Sequence, residues 1–361
     1  MIKTPKKFIA LLSGAAFLMS SAFAQGVATD PVGYVTEVIS PGTFNFLGFN
    51  LSQPVVAAGA FESATSTTLI DAEGDFVAAL SEAGQHFVKL TDGSDVSIIG
   101  INTEVSAASA TALTVNDDLS SVVVSGTAYE VRKSLTVGDI FGESNELDLE
   151  GAIAGDRTNA DVIWIPDASG GFTQVFYNAT PGSGFGALSV GWKSATTGNS
   201  DAVNTPIYFT SGVFIQVKRT SFDPGESGYV DANSKNLVIS GAVQTEKSQV
   251  VLEEGFNFIS RVFPGGVTLA DSDLETIIEG ALAGNRTNAD IIWIPDGVGG
   301  YDKYFYNSTA GSGFGALSVG WRGATTGDAD ASSAELKSGV IIERKGSPVM
   351  VVLNLAAGVT L

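Results

Sequence analysis

One long stretch of this chain occurs twice. Gly151-Ala-Ile-Ala-Gly-Asp-Arg-Thr-Asn-Ala-Asp161 returns as Gly280-Ala-Leu-Ala-Gly-Asn-Arg-Thr-Asn-Ala-Asp290, and Ile163-Trp-Ile-Pro-Asp167 as Ile292-Trp-Ile-Pro-Asp296. Phe176-Tyr-Asn178 recurs at Phe305-Tyr-Asn307, and Gly182-Ser-Gly-Phe-Gly-Ala-Leu-Ser-Val-Gly-Trp192 recurs unchanged at 311–321. About 36 of 51 aligned positions are identical at an offset of about 129. Self-similarity of that length means one supersecondary unit used twice. Weaker echoes extend it: Ser211-Gly-Val-Phe-Ile-Gln-Val-Lys218 answers to Ser338-Gly-Val-Ile-Ile-Glu-Arg-Lys345, and Phe44-Asn-Phe-Leu47 to Phe256-Asn-Phe-Ile259. The spacing between these echoes is larger in the first copy by roughly 80 residues, which makes residues 61–133 an insertion.

Within each copy the pattern is that of strands. Val162–Pro166 is β-branched and aromatic, Asp167-Ala-Ser-Gly-Gly171 offers a turn, and residues 172–177 run extended again, which reads as a hairpin. Pro166 and Pro295 close the first strand because proline has no N–H for an interior ladder. Further strands are expected at 205–209 and 213–218. Leu274, Ile277, Ile278 and Leu282 have helical spacing, predicting a short helix over 274–282 and an equivalent near 147–153. In the insertion, short strands at 67–70, 86–91, 98–102, 112–115 and 129–132 suggest a small closed or half-open barrel. The expected fold is mainly β: two duplicated β-sandwich-like modules with a short helix each, plus a small inserted β-barrel-like domain in the first. Residues 25–60 and 134–220 form the first module, 61–133 the insertion and 221–361 the second module.

The N-terminus explains the export expected of the chain. Lys3, Lys6 and Lys7, an apolar run from Phe8 to Leu18 and a small-x-small Ala22-Phe-Ala24 make residues 1–24 a secretory signal peptide. No later stretch of about 20 apolar residues follows, so no transmembrane helix is expected after its removal. An outer-membrane barrel stays open, although the chain lacks a terminal aromatic and many strands are apolar on both faces. The formal net charge is -20, and about -23 once the three lysines are gone, which disfavours nucleic acid and acidic lipid as partners. There is no cysteine, so packed cores must stabilise the exported chain, and thiol and cysteine–metal chemistry are excluded.

The order of a Gly-Phe-Asn strand (Gly255-Phe-Asn-Phe-Ile-Ser260), an Ala-Asp-hydrophobic-Trp strand, a Tyr/Phe hairpin, a Gly-Trp and a Ser-Gly-Val strand resembles an uncharacterised family of exported bacterial β-rich repeat proteins. His86-Phe-Val-Lys-Leu-Thr-Asp-Gly93, Ala112-Leu-Thr-Val115 and Leu135-Thr-Val-Gly-Asp-Ile-Phe141 look like the same family. That resemblance implies a location outside the cytoplasm and brings no catalytic residues with it.

Chemistry-bearing constellations are sparse. His86 is the only histidine, which rules out a multi-histidine metal site, and no Gly-x-Ser-x-Gly elbow accompanies it. Asp161 and Asp167, like Asp290 and Asp296, sit at opposite ends of one strand, about 20 Å apart at 3.3 Å per residue. That is too far for a glycosidase pair. Gly182-Ser-Gly-Phe-Gly186 lacks the following Lys-Ser/Thr of a phosphate loop and reads as a connection. Oxygen-rich runs holding Asp156 and Asp161, Asp271 and Asp273, or Asp328 and Asp330 are the candidate metal ligands, for calcium. Trp164, Tyr177, Trp192, Trp293, Tyr306 and Trp321 are candidates for a sugar-stacking platform, with core packing as the competing role. No cofactor other than calcium is indicated. Three functions stay open: an exported non-enzymatic surface, matrix or assembly protein associating with itself or with cell-surface or matrix components, a glycan- or ligand-binding protein, and a hydrolase. The last would need a pocket joining carboxylates of the insertion and the first module.

Overall fold

The computed structural model describes residues 31–93, 95–167, 170–184, 187–218, 234–244, 247–261, 266–297, 299–313 and 316–353. The expected signal peptide, 1–24, lies outside the described residues. The fold is mainly β, with seven sheets and two short α-helices, Phe76–Ala79 and Val137–Phe141, among those residues.

The two copies build sheets of one strand order. The first runs Phe44–Leu47, Val213–Gln216, Val162–Pro166, Phe172–Thr180, Gly191–Ser194, Ser200–Asp201; the second runs Gly255–Ser260, Gly339–Arg344, Ile291–Pro295, Tyr301–Thr309, Gly320–Gly323, Ala329–Asp330. Register is the same in both: Trp164 faces Gln174 as Trp293 faces Lys303, and Tyr177 faces Trp192 as Tyr306 faces Trp321. Successive strand residues alternate between faces, so Ile163 and Ile165 are buried in the core while Trp164 lies on the other side, half-buried. The turn between the hairpin strands is tied by aspartate, Asp167 Oδ1 accepting from Gly171 N at 3.1 Å and Asp296 Oδ1 from Gly300 N at 2.9 Å.

An antiparallel ribbon covers each sheet. Val32–Ile39 pairs with Lys235–Val243, and Ser248–Leu252 with Val349–Leu353. Ile39, Leu237 and Ile239 complete one core with Ile163, Ile165 and Ile215, and Leu252 and Val351 complete the other with Ile292, Ile294 and Ile342. The strand Lys235–Val243 falls inside the 221–361 range expected for the second module, yet its partner and its core belong to the first. Hydrophobic alternation alone does not say which of two similar cores a strand will close.

The helix expected at 274–282 is not formed. Leu274–Thr276 is a single 3₁₀ turn, and Ala281–Leu282 is already a strand, parallel to Tyr301–Thr309. Leu274 and Ile278 are buried as their spacing demanded. The helix stops because the Glu279 N–H is captured by Asp290 Oδ2 at 2.9 Å and Gly280 lies against the next strand, where a Cβ would come within 2.7 Å of Ser308. The helix expected near 147–153 is also absent. The first copy has its helix earlier, at Val137–Phe141, started by a capping box between Thr136 and Asp139.

The insertion is a seven-stranded sheet in the order Val55–Phe61, Thr127–Lys133, His86–Asp92, Asn102–Ala108, Ala112–Val115, Thr68–Ile70, Ser63–Ala64. Phe61 leads through Glu62 into Ser63–Ala64, the opposite edge, so one bent strand brings the two ends of the sheet together around Leu69, Phe76, Val88, Leu113 and Tyr129. Its first strand begins at Val55, six residues before the boundary expected at 61, because Val55–Phe61 pairs with Thr127–Lys133. The strand expected at 98–102 is instead a 3₁₀ turn, Val96–Ile98, held by Asp95 accepting from Ser97 N, and Gly100 at φ +94° interrupts the extended path before Asn102.

The parts meet through backbone. Gly212 N donates to Phe258 O at 3.0 Å, Ser260 N to Thr210 O at 2.7 Å, and Ser260 Oγ to Phe49 O at 2.9 Å. Phe46, Phe172 and Phe214 pack around Phe258 at centroid distances of 6.1, 5.3 and 5.2 Å. The insertion reaches the second copy as well: Asn102 Nδ2 donates to Gln249 O at 2.7 Å and Gln249 N to Gly100 O at 2.8 Å. At the junction of the sheets Gly48 is obligatory, since a Cβ there would lie 1.9 Å from the Ser338 carbonyl oxygen. Gly48→Ala is expected to cost about 1–3 kcal/mol, as overpacking against backbone does. Urea unfolding monitored by tryptophan fluorescence would measure it, and an unchanged midpoint would contradict this account of the junction.

Candidate functional site

The acidic candidates are occupied individually and do not converge. Asp156 is exposed and its Oδ1 accepts from Thr158 N at 2.9 Å and Thr158 Oγ1 at 2.6 Å, which holds its carboxyl below the usual range. Asn285 does the same for Thr287, so the carboxylate charge is not needed for that turn. Asp161 is buried and clamps two segments, accepting from Glu150 N and Lys218 N, both at 2.9 Å. Asp290 makes the matching bonds to Glu279 N at 2.9 Å and Lys345 N at 2.6 Å and adds Arg344 Nη1 at 2.6 Å. Asp271 accepts from Thr268 Oγ1 at 2.6 Å, Asp328 sits 3.7 Å from Arg286, and Asp330 caps Ser332 N at 2.9 Å. Asp273 is exposed in the left-handed region at φ +56°. Among the described residues no group of three or more His, Cys, Asp or Glu side chains is placed to hold a metal ion.

The aromatic candidates divide by face. Trp192 and Trp321 are buried core residues, each met edge-on by its tyrosine, Tyr177 at 5.3 Å and Tyr306 at 5.4 Å. Trp164 and Trp293 lie on the outer face, half-buried. Trp164 joins Phe44 and Phe172, each at 6.2 Å, in the aromatic layer that continues to Phe258. The Trp293 ring is covered by Lys303 Nζ at 3.7 Å from its centroid, a cation–π contact that occupies the face a sugar would stack on. These six residues form no shared platform.

A cleft of about 350 Å³ does join the insertion to the first copy, lined by Glu104, Asp117, Asp167, Tyr208 and Phe209. Burial, with Asp117 beside it, pushes Glu104 up to about 7, and burial with nearby Glu104 and Asp167 raises Tyr208. Asn116 Nδ2 donates to Glu104 Oε2 at 3.2 Å, and Asp167 Oδ1 accepts from Gly171 N. His86 is buried in its strand with Nε2 lacking a hydrogen-bond partner, and burial lowers its pKa.

What the structure does bring together is a surface made twice. Asn178 is wholly buried and ties two loops: its Oδ1 accepts from Gly155 N at 2.9 Å, while its Nδ2 donates to Thr180 O at 2.9 Å and Ser189 O at 3.0 Å. Asn307 repeats all three bonds, to Gly284 N at 2.9 Å, Thr309 O at 2.9 Å and Ser318 O at 2.8 Å. Ala154 and Ala283 are both forced to positive φ, +52° and +51°, each with its N–H taken by a threonine hydroxyl. Beneath, Arg157 and Arg286 each lie 5.3 Å over a phenylalanine ring, Phe176 and Phe305. On top, the tied loops expose Ile153 (66%) and Val190 (47%) in one copy, Leu282 (64%) and Val319 (49%) in the other. These stretches mark the repeat in the sequence, but their exposure is not evident from residue type. The signal was present in the alignment, since residues 182–192 are unchanged between copies while the neighbouring 172–175 differ at every position.

No family model, curated protein or solved structure matches the chain.

Burial pushes Asp161 up to about 6 and Glu104 to about 7. Each folded value exceeds the unfolded value near 4, so the native state binds more protons in between. The stability contribution of both groups is full below about pH 4 and lost as pH rises through 6 to 7. His86, held neutral, acts in the opposite sense below about 6.5, so the comparison is made against a variant. The stability of the wild type relative to Asp161→Asn/Glu104→Gln should grow by on the order of 1–3 kcal/mol from pH 7.5 to pH 5. Parallel melting curves across that range would contradict it.

Proposed function

We propose that this is an exported, non-enzymatic surface or matrix protein that assembles with further copies of itself through the two equivalent loop surfaces. The observation that carries the reading is the exposed apolar pair at matching positions, Ile153 with Val190 and Leu282 with Val319. Exposed side chains on a loop are ordinarily free to vary, and the adjacent hairpin residues have varied. Glycine positions account for part of the invariance, because Gly184 and Gly191 have φ of +93° and +125°. They do not account for an exposed Val190. A chain exposing the same apolar residues on two equivalent surfaces is bivalent, and bivalent chains form open assemblies where monovalent ones stop at pairs. The acidic surface fits such a role by favouring specific short-range contacts over collapse. The lysine-covered Trp293 does not favour sugar binding.

Light scattering after size-exclusion chromatography tests this with a graded outcome. The chain from Gln25 should form species larger than a dimer, Val190→Asp or Val319→Asp alone should stop at dimers, and the double variant should be monomeric. A wild type that stays monomeric at high concentration, or a double variant that assembles normally, would sink the proposal. Chelator should leave the distribution unchanged, since the acidic runs are engaged within their own turns.

A further inference from the structure

The two copies differ inside. The second contains a cavity of about 570 Å³ between its ribbon and its sheet, walled by Val250, Leu252, Ile259, Leu274, Ile342 and Val351. In the first copy the corresponding region is filled by the helix Val137–Phe141, which packs on Lys235–Val243 and places Ile140 and Phe141, 5% and 1% exposed, in the core. Between the shared threonine and the shared Glu-Gly the first copy has residues 137–149 and the second only 269–278, three fewer. Where Ile140 and Phe141 stand, the second copy offers Ser272 and Asp273, both on the cavity wall. The shortening leaves a second mark: Trp192 Nε1 donates to Gly142 O at 2.7 Å, whereas Trp321 Nε1 is buried without a partner.

We infer that this cavity is a binding site for a single-chain amphiphile with one carboxylate head, a medium-chain fatty acid in class. Its volume lies in the range of small-molecule sites, and its wall is aliphatic with a few polar groups on one side, as such sites are. Arg261 supplies the head-group contact. Its Nη1 donates to Leu336 O at 2.9 Å, but its Nε is buried with no hydrogen-bond partner. Burial lowers the Arg261 pKa even with Glu335 and Glu37 nearby acting to raise it, so an anion bonded directly to the free Nε would offset an existing cost. The other charged wall residues are committed or solvated: Lys247 Nζ donates to Val96 O, and Asp271 and Asp273 are exposed at the rim. Those rim carboxylates disfavour a dianionic phosphate and leave a monoanion as the better match. A chain of about ten methylenes buried there corresponds to micromolar affinity.

Calorimetric titration of the chain from Gln25 with sodium dodecanoate, below its micelle concentration, is the test. One molecule per chain should bind, because the helix Val137–Phe141 fills the corresponding space in the first copy. Arg261→Gln should weaken dodecanoate at least about tenfold and leave 1-dodecanol unaffected, as loss of a charge-assisted hydrogen bond would. Val340→Phe and, separately, Ser272→Ile fill the cavity and should abolish binding while the melting temperature is kept or raised. Absence of binding to the wild type, a stoichiometry of two, equal loss of dodecanoate and dodecanol in Arg261→Gln, or full binding by a folded cavity-filled variant would each overturn the assignment.

Discussion

A buried aspartate at the foot of each tryptophan strand holds the architecture together. Asp161 and Asp290 each accept backbone N–H groups from two distant segments, one entering the loop at Glu150 or Glu279 and one leaving the sheet at Lys218 or Lys345. All four bonds are part-buried, each anchoring a donor from the loop or the sheet edge on a buried carboxylate. Because both carboxylate oxygens are used, the clamp fixes where the loop begins relative to the sheet. The position of the Asn178 and Asn307 ties, and hence of the exposed loop surface, follows from it.

The copies satisfy this clamp at different electrostatic cost. Asp290 has Arg344 against it, a pair buried on both sides whose breakage would leave a charge stranded. Asp161 has Val217 at the matching place in the sequence, and burial raises its pKa against the opposing pull of the Glu150 and Lys218 N–H groups. One buried carboxylate therefore has a cation against it, and the other relies on backbone N–H groups. Divergence in the interior went further than on the loop surface. One copy closed its core with Ile140 and Phe141, while the other gave up three residues and kept a cavity. A surface that stayed while an interior changed is the reverse of what folding demands alone, since cores tolerate volume change poorly.

Much of this was legible residue by residue. Turn chemistry marked the hairpins, because Asp167 and Asp296 close them, and β-branched and aromatic residues located the strand Val162–Pro166. The helical reading of 274–282 failed although its apolar spacing was right, because a period shared by Leu274 and Ile278 also suits a 3₁₀ turn laid on a core. The insertion boundary slipped for a related reason: Val55–Phe61 has no feature of its own that chooses Thr127–Lys133 as its partner over the neighbouring copy. Residue type alone did not say which candidate side chains lie together. Acidic residues clustered in sequence were spread among separate turns, and the tryptophans were divided between core and outer face by the two-residue period of the strand.

By itself the sequence determined the repeated unit, its strand content, the absence of any thiol chemistry and the strong negative charge, because these rest on local pattern and composition. Tertiary structure alone decided which core claims Lys235–Val243, which aromatic rings are covered, and that Ile153 and Val190 stand exposed on loops tied by one asparagine. It alone opened a cavity in one copy and filled it in the other. Those outcomes depend on contacts between residues far apart in the chain, where packing volume and buried hydrogen bonds, not local preference, select the arrangement.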